Sequence, residues 1–317
     1  MDYKVLIADS WNYTRKNKSL IFWLGFLPAI VTTSVSFGYA AYQFFAFKMS
    51  YLFNTKDDSF LHVVLNVFLE IYNKNGSLSI FLVVLVIVFL LLNFIIPPFI
   101  IASAIQMIAR NRNGQEAGVG AGIKYGIMSF LPLFEYQLLV RTFGFFSILI
   151  EMSFVIRNLG PAIFKLLLPA FILFLFFSLI LTLLLIYAEF FIVIDDVGVV
   201  DSMKKSIKLV IMNWKHTFLI TVLMALIGVR IIIQAIIVFS VPALVILLTG
   251  YIATITIQST GLIISGIITL IALILSAYLN GIVDIFMYTV WTYSFLHLTS
   301  EKELSARDKE LSARDAA

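Results

Sequence analysis

Long apolar runs constrain this chain more than any other feature of its sequence. Six runs are longer than the about 20 residues that a transmembrane helix needs. They cover residues 20–47, 78–109, 130–156, 161–194, 217–248 and 262–298. Only 13% of the residues are charged, about half the fraction of roughly 25% in soluble domains. The sequence therefore predicts an all-α, polytopic membrane protein with six transmembrane helices in a single domain, residues 1–298.

Basic residues outside these runs predict the orientation of the chain. Fifteen Lys and Arg fall on the side that holds both termini, and five fall on the other side. Because positively charged loops stay in the cytoplasm, we expect a multi-pass protein of the cell (inner) membrane with both termini cytoplasmic. All four Trp lie near the same ends of the spans, where indoles favour the membrane interface: Trp11, Trp23, Trp214 and Trp291.

The segment DSMKKSIKLVIMNWKHT, residues 201–217, reads as an amphipathic helix. Apolar residues recur at spacings of three, four and seven, and lysines occupy the opposite side. Asp201 can pair with Lys204 and Lys205 one turn along. This pattern is typical of a helix lying in the membrane interface. The predicted interfacial basic residues are Lys204, Lys205, Lys208 and Lys215.

Related segments precede two other pairs of spans. Ser206 and Asn213 align with Ser10 and Asn17, and the alignment puts Gly122 and Ser129 at the same places in the middle of the chain. The sequence therefore predicts a threefold pseudo-repeat, in which three interfacial amphipathic helices each introduce a two-span hairpin. The units cover 3–109, 114–194 and 197–298, and a charged cytoplasmic tail follows at 299–317.

Two stretches resemble a known bacterial family. The stretch EFFIVIDDVGVVDSMKKSIKLVIMNW joins an apolar span, an acidic turn and the basic helix, and IFMYTVWTYSFLHL ends the last span with aromatic residues. Both are similar to six-span proteins related to the glycerophosphoryl diester phosphodiesterase membrane domain. The resemblance extends loosely over residues 1–298. It implies a lipid-associated or membrane-scaffold context and transfers no catalytic residue to this chain.

Ionisable and polar residues inside the spans are the candidates for a site, because such groups are costly in hydrocarbon. The candidates are Arg230, Asp284, Gln234, Asn280, Arg141 and Glu135. Counting residues from the cytoplasmic side puts Arg230 and Asp284 near the midplane. The alternatives left open are a structural ion pair, an anion or lipid-phosphate site on Arg230, and a proton or ion relay.

Other chemistry finds little support. The chain has no Cys and only three His, none at metal-ligand spacing, so we expect no metal or other cofactor. Nothing in the sequence indicates nucleic-acid binding. Pro97 and Pro98 predict a disruption of the second span, either a kink that serves helix packing or a break that a transporter could use to bind ions. The tail repeats KELSARD at 302–308 and 309–315, which predicts a flexible or weakly helical extension, with a helix that docks on a membrane or cytoplasmic protein partner as the alternative.

Three classes of function follow. The sequence favours a non-enzymatic, lipid-associated membrane protein or scaffold that contacts phospholipid of the anionic inner leaflet. A small-solute or ion transporter is the alternative. An intramembrane lipid enzyme is the weakest, since no nucleophile, carboxylate pair or His-acid combination occurs at usable spacing.

Overall fold

Helices make up the structure of this chain. A computed structural model describes residues 2–48, 66, 68–70, 72–115, 118–229 and 258–315, and within these ranges the secondary structure is helical, with no strand. The prediction of an all-α protein is confirmed for the part of the chain that the structure describes.

The helices follow one another with short connections. In chain order they are α1 (Tyr3–Lys16), α2 (Lys18–Leu20), a π-helical turn (Ile21–Phe26), α3 (Leu27–Lys48), α4 (Gly76–Arg112), α5 (Val119–Thr142), α6 (Phe145–Asn158), α7 (Gly160–Leu184), α8 (Ala188–Ile194), α9 (Val199–Met212), α10 (Trp214–Val229) and α11 (Gln258–Asp315).

Four helical segments are long and apolar enough to cross a membrane: Lys18–Tyr39, Gly76–Arg112, Gly160–Ile194 and Ile267–Ser300. A fifth crossing is counted if α9 and α10, which meet at 99°, are taken together as one bent span. The chain thus has the helices of a polytopic membrane protein. By length and composition the described residues supply four or five crossings, where the sequence predicted six.

The predicted third span, 130–156, is wrong as a continuous helix. Helix α5 runs from Val119 to Thr142 and ends there, and α6 begins at Phe145. Gly144 takes an extended conformation between them, with φ −69° and ψ 147°, which no helix can continue through. The interfacial helix predicted to begin near residue 114 is not separated from the span that follows it, because α5 passes through Ser129 without a break.

The prediction for the second span needs correction, and the tail takes one of its predicted conformations, a helix. Helix α4 is continuous through Pro97 and Pro98, so the predicted interruption of the second span is wrong. Membrane helices tolerate proline where neighbouring helices and local adjustments satisfy the freed backbone groups. Helix α11 continues to Asp315, so the tail is helical through both KELSARD copies.

The core of the described residues lies where the C-terminal half of α4 and the middle of α11 meet α8. Ala102, Ile105 and Ile108 of α4 are fully buried there, and so is Ile285 of α11. The opposite half of α4 is apolar on every side and largely exposed, since only 6% of its most apolar 18-residue window is buried. Helix α7 shows the same contrast with the buried α8 that follows it.

Helices α1 and α9 end in the same way. Asn17 and Asn213 each donate their backbone N–H and their side-chain amide to carbonyls of the preceding turn. A new helix begins at the next residue in both places. Buried residues also recur in register, since Leu6, Ser10 and Thr14 of α1 correspond to Ser202, Ser206 and Val210 of α9.

Candidate functional site

Helix α9 is fixed to the core through a break in the preceding span. Helix α7 ends at Leu184, and a turn at 185–187 separates it from α8. Such a break leaves backbone N–H and C=O groups without hydrogen-bond partners in the helix. Each such group that is buried without a partner lowers the stability of the fold by about 1–3 kcal/mol. Side chains from outside the span provide hydrogen bonds to these groups.

Ser206 supplies two of these bonds. Its hydroxyl donates to the carbonyl oxygen of Leu184 at 2.8 Å and accepts from the backbone N–H of Tyr187 at 3.2 Å. Tyr136 of α5 supplies a third, donating its hydroxyl to the carbonyl of Leu185 at 3.0 Å. The serine that the sequence singled out as a repeat marker is therefore the residue that docks α9 on the helix break.

Tyr187 carries the connection on to α11. Its hydroxyl lies 3.0 Å from the hydroxyl of Ser294, and its ring meets Trp291 edge-on at 5.7 Å between centroids. Trp291 is 8% exposed, so its ring packs in the core and does not face lipid as predicted. The other three Trp are exposed.

The other side of α9 presents lysines and uncovered apolar residues together. Lys204, Lys205 and Lys208 are exposed, as is Lys215 just beyond the helix. Lys204 pairs with Asp201 at 3.4 Å, which confirms one of the two predicted ion pairs. Both side chains are about 70% exposed, so the pair adds little stability.

An apolar strip borders these lysines. Val200 and Ile211 are 63% and 62% exposed, and Ile207, on the same side of the helix, is half-buried. At 3.6 residues per turn these three positions fall within about 40° of one another. Ser202, Ser206 and Leu209 already pack on the core, so this strip is a second apolar face that the described residues do not cover.

A small cavity opens next to this helix. It has a volume of about 200 Å³ and lies where α5 and α7 both end. Its lining residues are Leu139, Val140, Phe143, Leu181, Thr182, Leu185 and Met203. Sequence analysis missed this site because the helix break at Phe143–Gly144 was not predicted, although Gly144 was a signal for it.

The predicted polar residues of the third span do not form one cluster. Glu135 is exposed, and Arg141 is the penultimate residue of α5. Gln137, which lies between Glu135 and Arg141 in the sequence, is buried. Its side-chain amide donates to the carboxylate of Glu189 on α8 at 3.1 Å. Glu135 therefore lies at the surface, and Gln137 belongs to the contact between α5 and α8.

In the last span, Asn280 donates to the hydroxyl of Thr33 on α3 at 3.2 Å. Asp284, one turn further along α11, is half-buried and has no hydrogen bond or ion pair with any of the residues that the structure describes. Arg230 and Gln234 lie outside the described residues, so the pairing of Arg230 with Asp284 stays a prediction.

A close contact fixes the level of Asp284. Gly25 in the π-helical turn packs directly on Gly281, where a Cβ on either residue would lie 2.6 Å from the other's backbone. Gly25 is seven residues from Lys18, about 10 Å along a helix, and Asp284 is about 4.5 Å closer to the basic end than Gly281. Asp284 therefore lies within about 6 Å of the level of Lys18 along the helix axis, and its predicted depth near the midplane stays a prediction.

The basic end also carries a larger polar pocket, of about 670 Å³. Its charged lining includes Asp2, Asp9, Arg112 and Asp195. Arg112 approaches Asp9 at 3.8 Å and lies over the ring of Tyr293, 4.5 Å from its centroid. Within the described ranges no three His, Asp or Glu side chains are grouped as metal ligands.

Tyr13 lies behind this pocket. Asn111 donates to its hydroxyl at 2.8 Å, and its ring meets that of Tyr293 at 6.0 Å. Burial raises the pKa of Tyr13 to about 12, and the hydrogen bond from Asn111 opposes that shift. The pair ties the start of the chain to the end of α4 and carries no evident catalytic role.

The chain matches no protein-family model, no curated protein and no solved structure.

Proposed function

We propose that this protein is a non-enzymatic, lipid-associated integral membrane protein that serves as a scaffold or helper subunit. In this proposal its basic helices lie on the anionic inner leaflet of the cell membrane, and both termini are cytoplasmic. A relation to the family of the glycerophosphoryl diester phosphodiesterase membrane domain is part of the same proposal, supported by the quoted residues alone.

The uncovered strip of α9 is the observation that supports this function most. Val200 and Ile211 are exposed beside Lys204 and Lys208 although the opposite face of the helix is buried. In water such a strip would cost about 25 cal/mol per Å² of exposed apolar surface. At the membrane interface acyl chains cover it while the lysines reach the anionic headgroups.

The proposed topology has six crossings and three interfacial helices in a threefold repeat. Two observations support this repeat. Helices α1 and α9 end with the same hydrogen bonds at Asn17 and Asn213, and buried residues occur at corresponding positions along both helices. In the middle unit, the proposed interfacial helix is the first part of α5, in which Gly122 and Gly126 pack closely on α4. The second crossing of the last hairpin is α11.

Single cysteines test this function directly, because the natural chain has none. Spin labels at Val200→Cys and Ile211→Cys in anionic vesicles should be accessible to dissolved oxygen and shielded from a water-soluble nickel reagent. Labels at Lys204→Cys and Lys208→Cys should show the reverse. Equal access of the nickel reagent to all four positions would mean that α9 lies in water, and the lipid function would then fail.

A small-solute or ion transporter is a second candidate, and Asp284 is the observation that favours it. A half-buried carboxyl group without a described partner inside a span is a candidate ion or proton carrier. The proline pair gives no support, since α4 continues through it. Uptake into proteoliposomes that disappears in Asp284→Asn would favour transport, and unchanged uptake in that variant would remove Asp284 from it.

A further inference from the structure

Two helix ends create the small cavity beside α9. Helix α5 ends at Thr142 and α7 ends at Leu184, so neither helix continues into the space between them. Leu139 and Phe143 line one wall, Leu181 and Leu185 the other, and Met203 of α9 closes the side nearest the lysines. The hydrogen bond from Tyr136 to the carbonyl of Leu185 joins the two walls, and the bond from Ser206 to the carbonyl of Leu184 fixes α9 beside them.

The chemistry of the lining selects an apolar occupant. Thr182 contributes the one side-chain hydroxyl among the lining residues, and the other side chains are aliphatic, aromatic or thioether. A bound water needs two to four polar partners, so water is poorly held there. Leu139 and Phe143 are 47% and 57% exposed, and the cavity therefore opens on the apolar outer surface of the helices.

Positive charge lies within reach of the same opening. Met203 precedes Lys204 in the sequence, and Lys208 lies one turn further along the exposed side of α9. Asp201 offsets part of the charge of Lys204 through their exposed pair, whereas Lys208 has no such carboxylate partner in any recorded ion pair of the described residues. The apolar strip at Val200 and Ile207 connects the cavity to both ammonium groups.

We infer that this cavity binds one acyl chain of an anionic phospholipid, whose phosphate lies against Lys204 and Lys208. The inference rests on the proposed function, which puts α9 at the lipid boundary. Drug-sized ligands occupy pockets of about 300–1,000 Å³, so a cavity of about 200 Å³ accepts part of a flexible chain and excludes a rigid polycyclic lipid. A phospholipid supplies both the apolar chain and the negative charge.

Fluorescence quenching by brominated lipid tests the site. Bimane on Leu139→Cys reports on the cavity, and bimane on Leu166→Cys, which is 78% exposed on α7, reports on bulk lipid. In vesicles of equal bromolipid content, Leu139→Cys should be quenched more by dibrominated phosphatidylglycerol than by dibrominated phosphatidylcholine. Leu166→Cys should show no preference.

Matched variants then assign the two halves of the site. Met203→Trp fills the cavity and should abolish the preference, whereas Met212→Trp, 59% exposed on another side of α9, should keep it. Replacing Lys204 and Lys208 by Gln should weaken the preference by about fivefold per lysine, the factor that corresponds to the usual attraction of one lysine to an anionic surface. Lys4→Gln with Lys16→Gln is the charge-matched control on α1.

The outcomes separate the inference from the proposed function. Equal quenching of Leu139→Cys by both lipids, with α9 still accessible to oxygen at Val200 and Ile211, overturns the lipid site alone. A preference that survives Met203→Trp also overturns it, since the lipid must then lie elsewhere. Failure of the oxygen-access experiment overturns both. Because the Leu139→Cys comparison keeps Met203 and both lysines, a Met203→Trp variant that fails to fold leaves the inference testable.

Discussion

The two halves of α4 differ in how far their side chains are buried. Its C-terminal half carries Ala102, Ile105 and Ile108, all fully buried against other helices, whereas side chains from Leu78 to Ile95 are mostly exposed. Both halves are apolar, so hydrophobicity does not distinguish them. Small residues and side-chain hydrogen bonds do, because helices in lipid gain stability from close packing and polar contacts rather than from the hydrophobic effect.

The same contrast runs along the span that contains α7 and α8. Ile172 to Phe177 of α7 include five large side chains exposed by more than half, while Ala188 to Val193 of α8 lie almost entirely in the core. Between them is the break that Ser206 and Tyr136 stabilise. The packed end is thus built where helices stop being regular, and the regular apolar helices beyond it are left to lipid.

The largest effect is expected from truncating the packed half of α4. Ile105→Ala should lower the free energy of unfolding by about 2–5 kcal/mol, because it leaves a cavity among fully buried neighbours. Ile95→Ala, on the same helix and 46% exposed, is the control and should change little. Thermal unfolding in a mild detergent measures both, and equal shifts would contradict the division of α4 into packed and lipid-facing halves.

The glycine contact offers the next largest effect. A Cβ at Gly281 would lie 2.6 Å from the backbone of Gly25 and Phe26, so Gly281→Ala must separate two helices and should cost about 1–3 kcal/mol. Gly38 of α3 has nothing within 4 Å of such a Cβ. Gly38→Ala should therefore be neutral or slightly stabilising in the same assay. A stable Gly281→Ala protein would show that the α11 contact is looser than described.

Docking of α9 depends on Ser206. Ser206→Ala removes both bonds to the break in the span and should cost about 1–2 kcal/mol. Ser202→Ala removes a hydroxyl that is equally buried but bonds only within α9, to the carbonyl of Val199. We expect a clearly smaller loss for Ser202→Ala. Hydrogen exchange of the α9 amides distinguishes local undocking of α9 from global unfolding. Equal protection of these amides in both variants would contradict the role of Ser206 in docking α9.

The smallest expected effect concerns Tyr13. Its folded-state pKa of about 12 exceeds the ordinary tyrosine value of about 10, so burial of the neutral phenol contributes stability that is fully present below pH 10. That contribution is lost as the pH rises towards 12. Tyr13→Phe should flatten this part of the pH dependence of the melting temperature. An unchanged alkaline slope in Tyr13→Phe would assign it to other residues.

Sequence reasoning succeeded where composition alone determines the outcome. Long apolar runs predict membrane helices because an apolar helix satisfies all its backbone groups internally, and the described residues contain four such helices, or five if the bent pair of α9 and α10 is one span. The basic segment forms a helix, Val199–Met212, which begins two residues before the predicted segment 201–217 and ends five residues before its end. The pair of Asp201 with Lys204 forms as expected. These features depend on neighbours within one turn.

The predictions from sequence were wrong where the continuity or burial of one helix depends on its contacts with another. Pro97 and Pro98 do not interrupt α4, whereas the less conspicuous Phe143 and Gly144 separate α5 from α6. Trp291 is buried although its neighbours in sequence suggested the interface. The small cavity, which is the candidate lipid site, forms where the end of α5 lies next to the end of α7. The hydrophobic periodicity of either helix alone does not predict that these two ends lie side by side.

By itself, the sequence determined that this chain forms apolar helices with a basic, amphipathic helix between them, because helix formation and hydrophobic patterning are local. Only the tertiary structure decided which apolar surfaces become core and which remain for lipid. Helix packing in a membrane is stabilised by complementary shape and by hydrogen bonds, as between Gly25 and Gly281 or at Ser206. Such complementarity belongs to pairs of surfaces, and no single stretch of sequence contains both members of a pair.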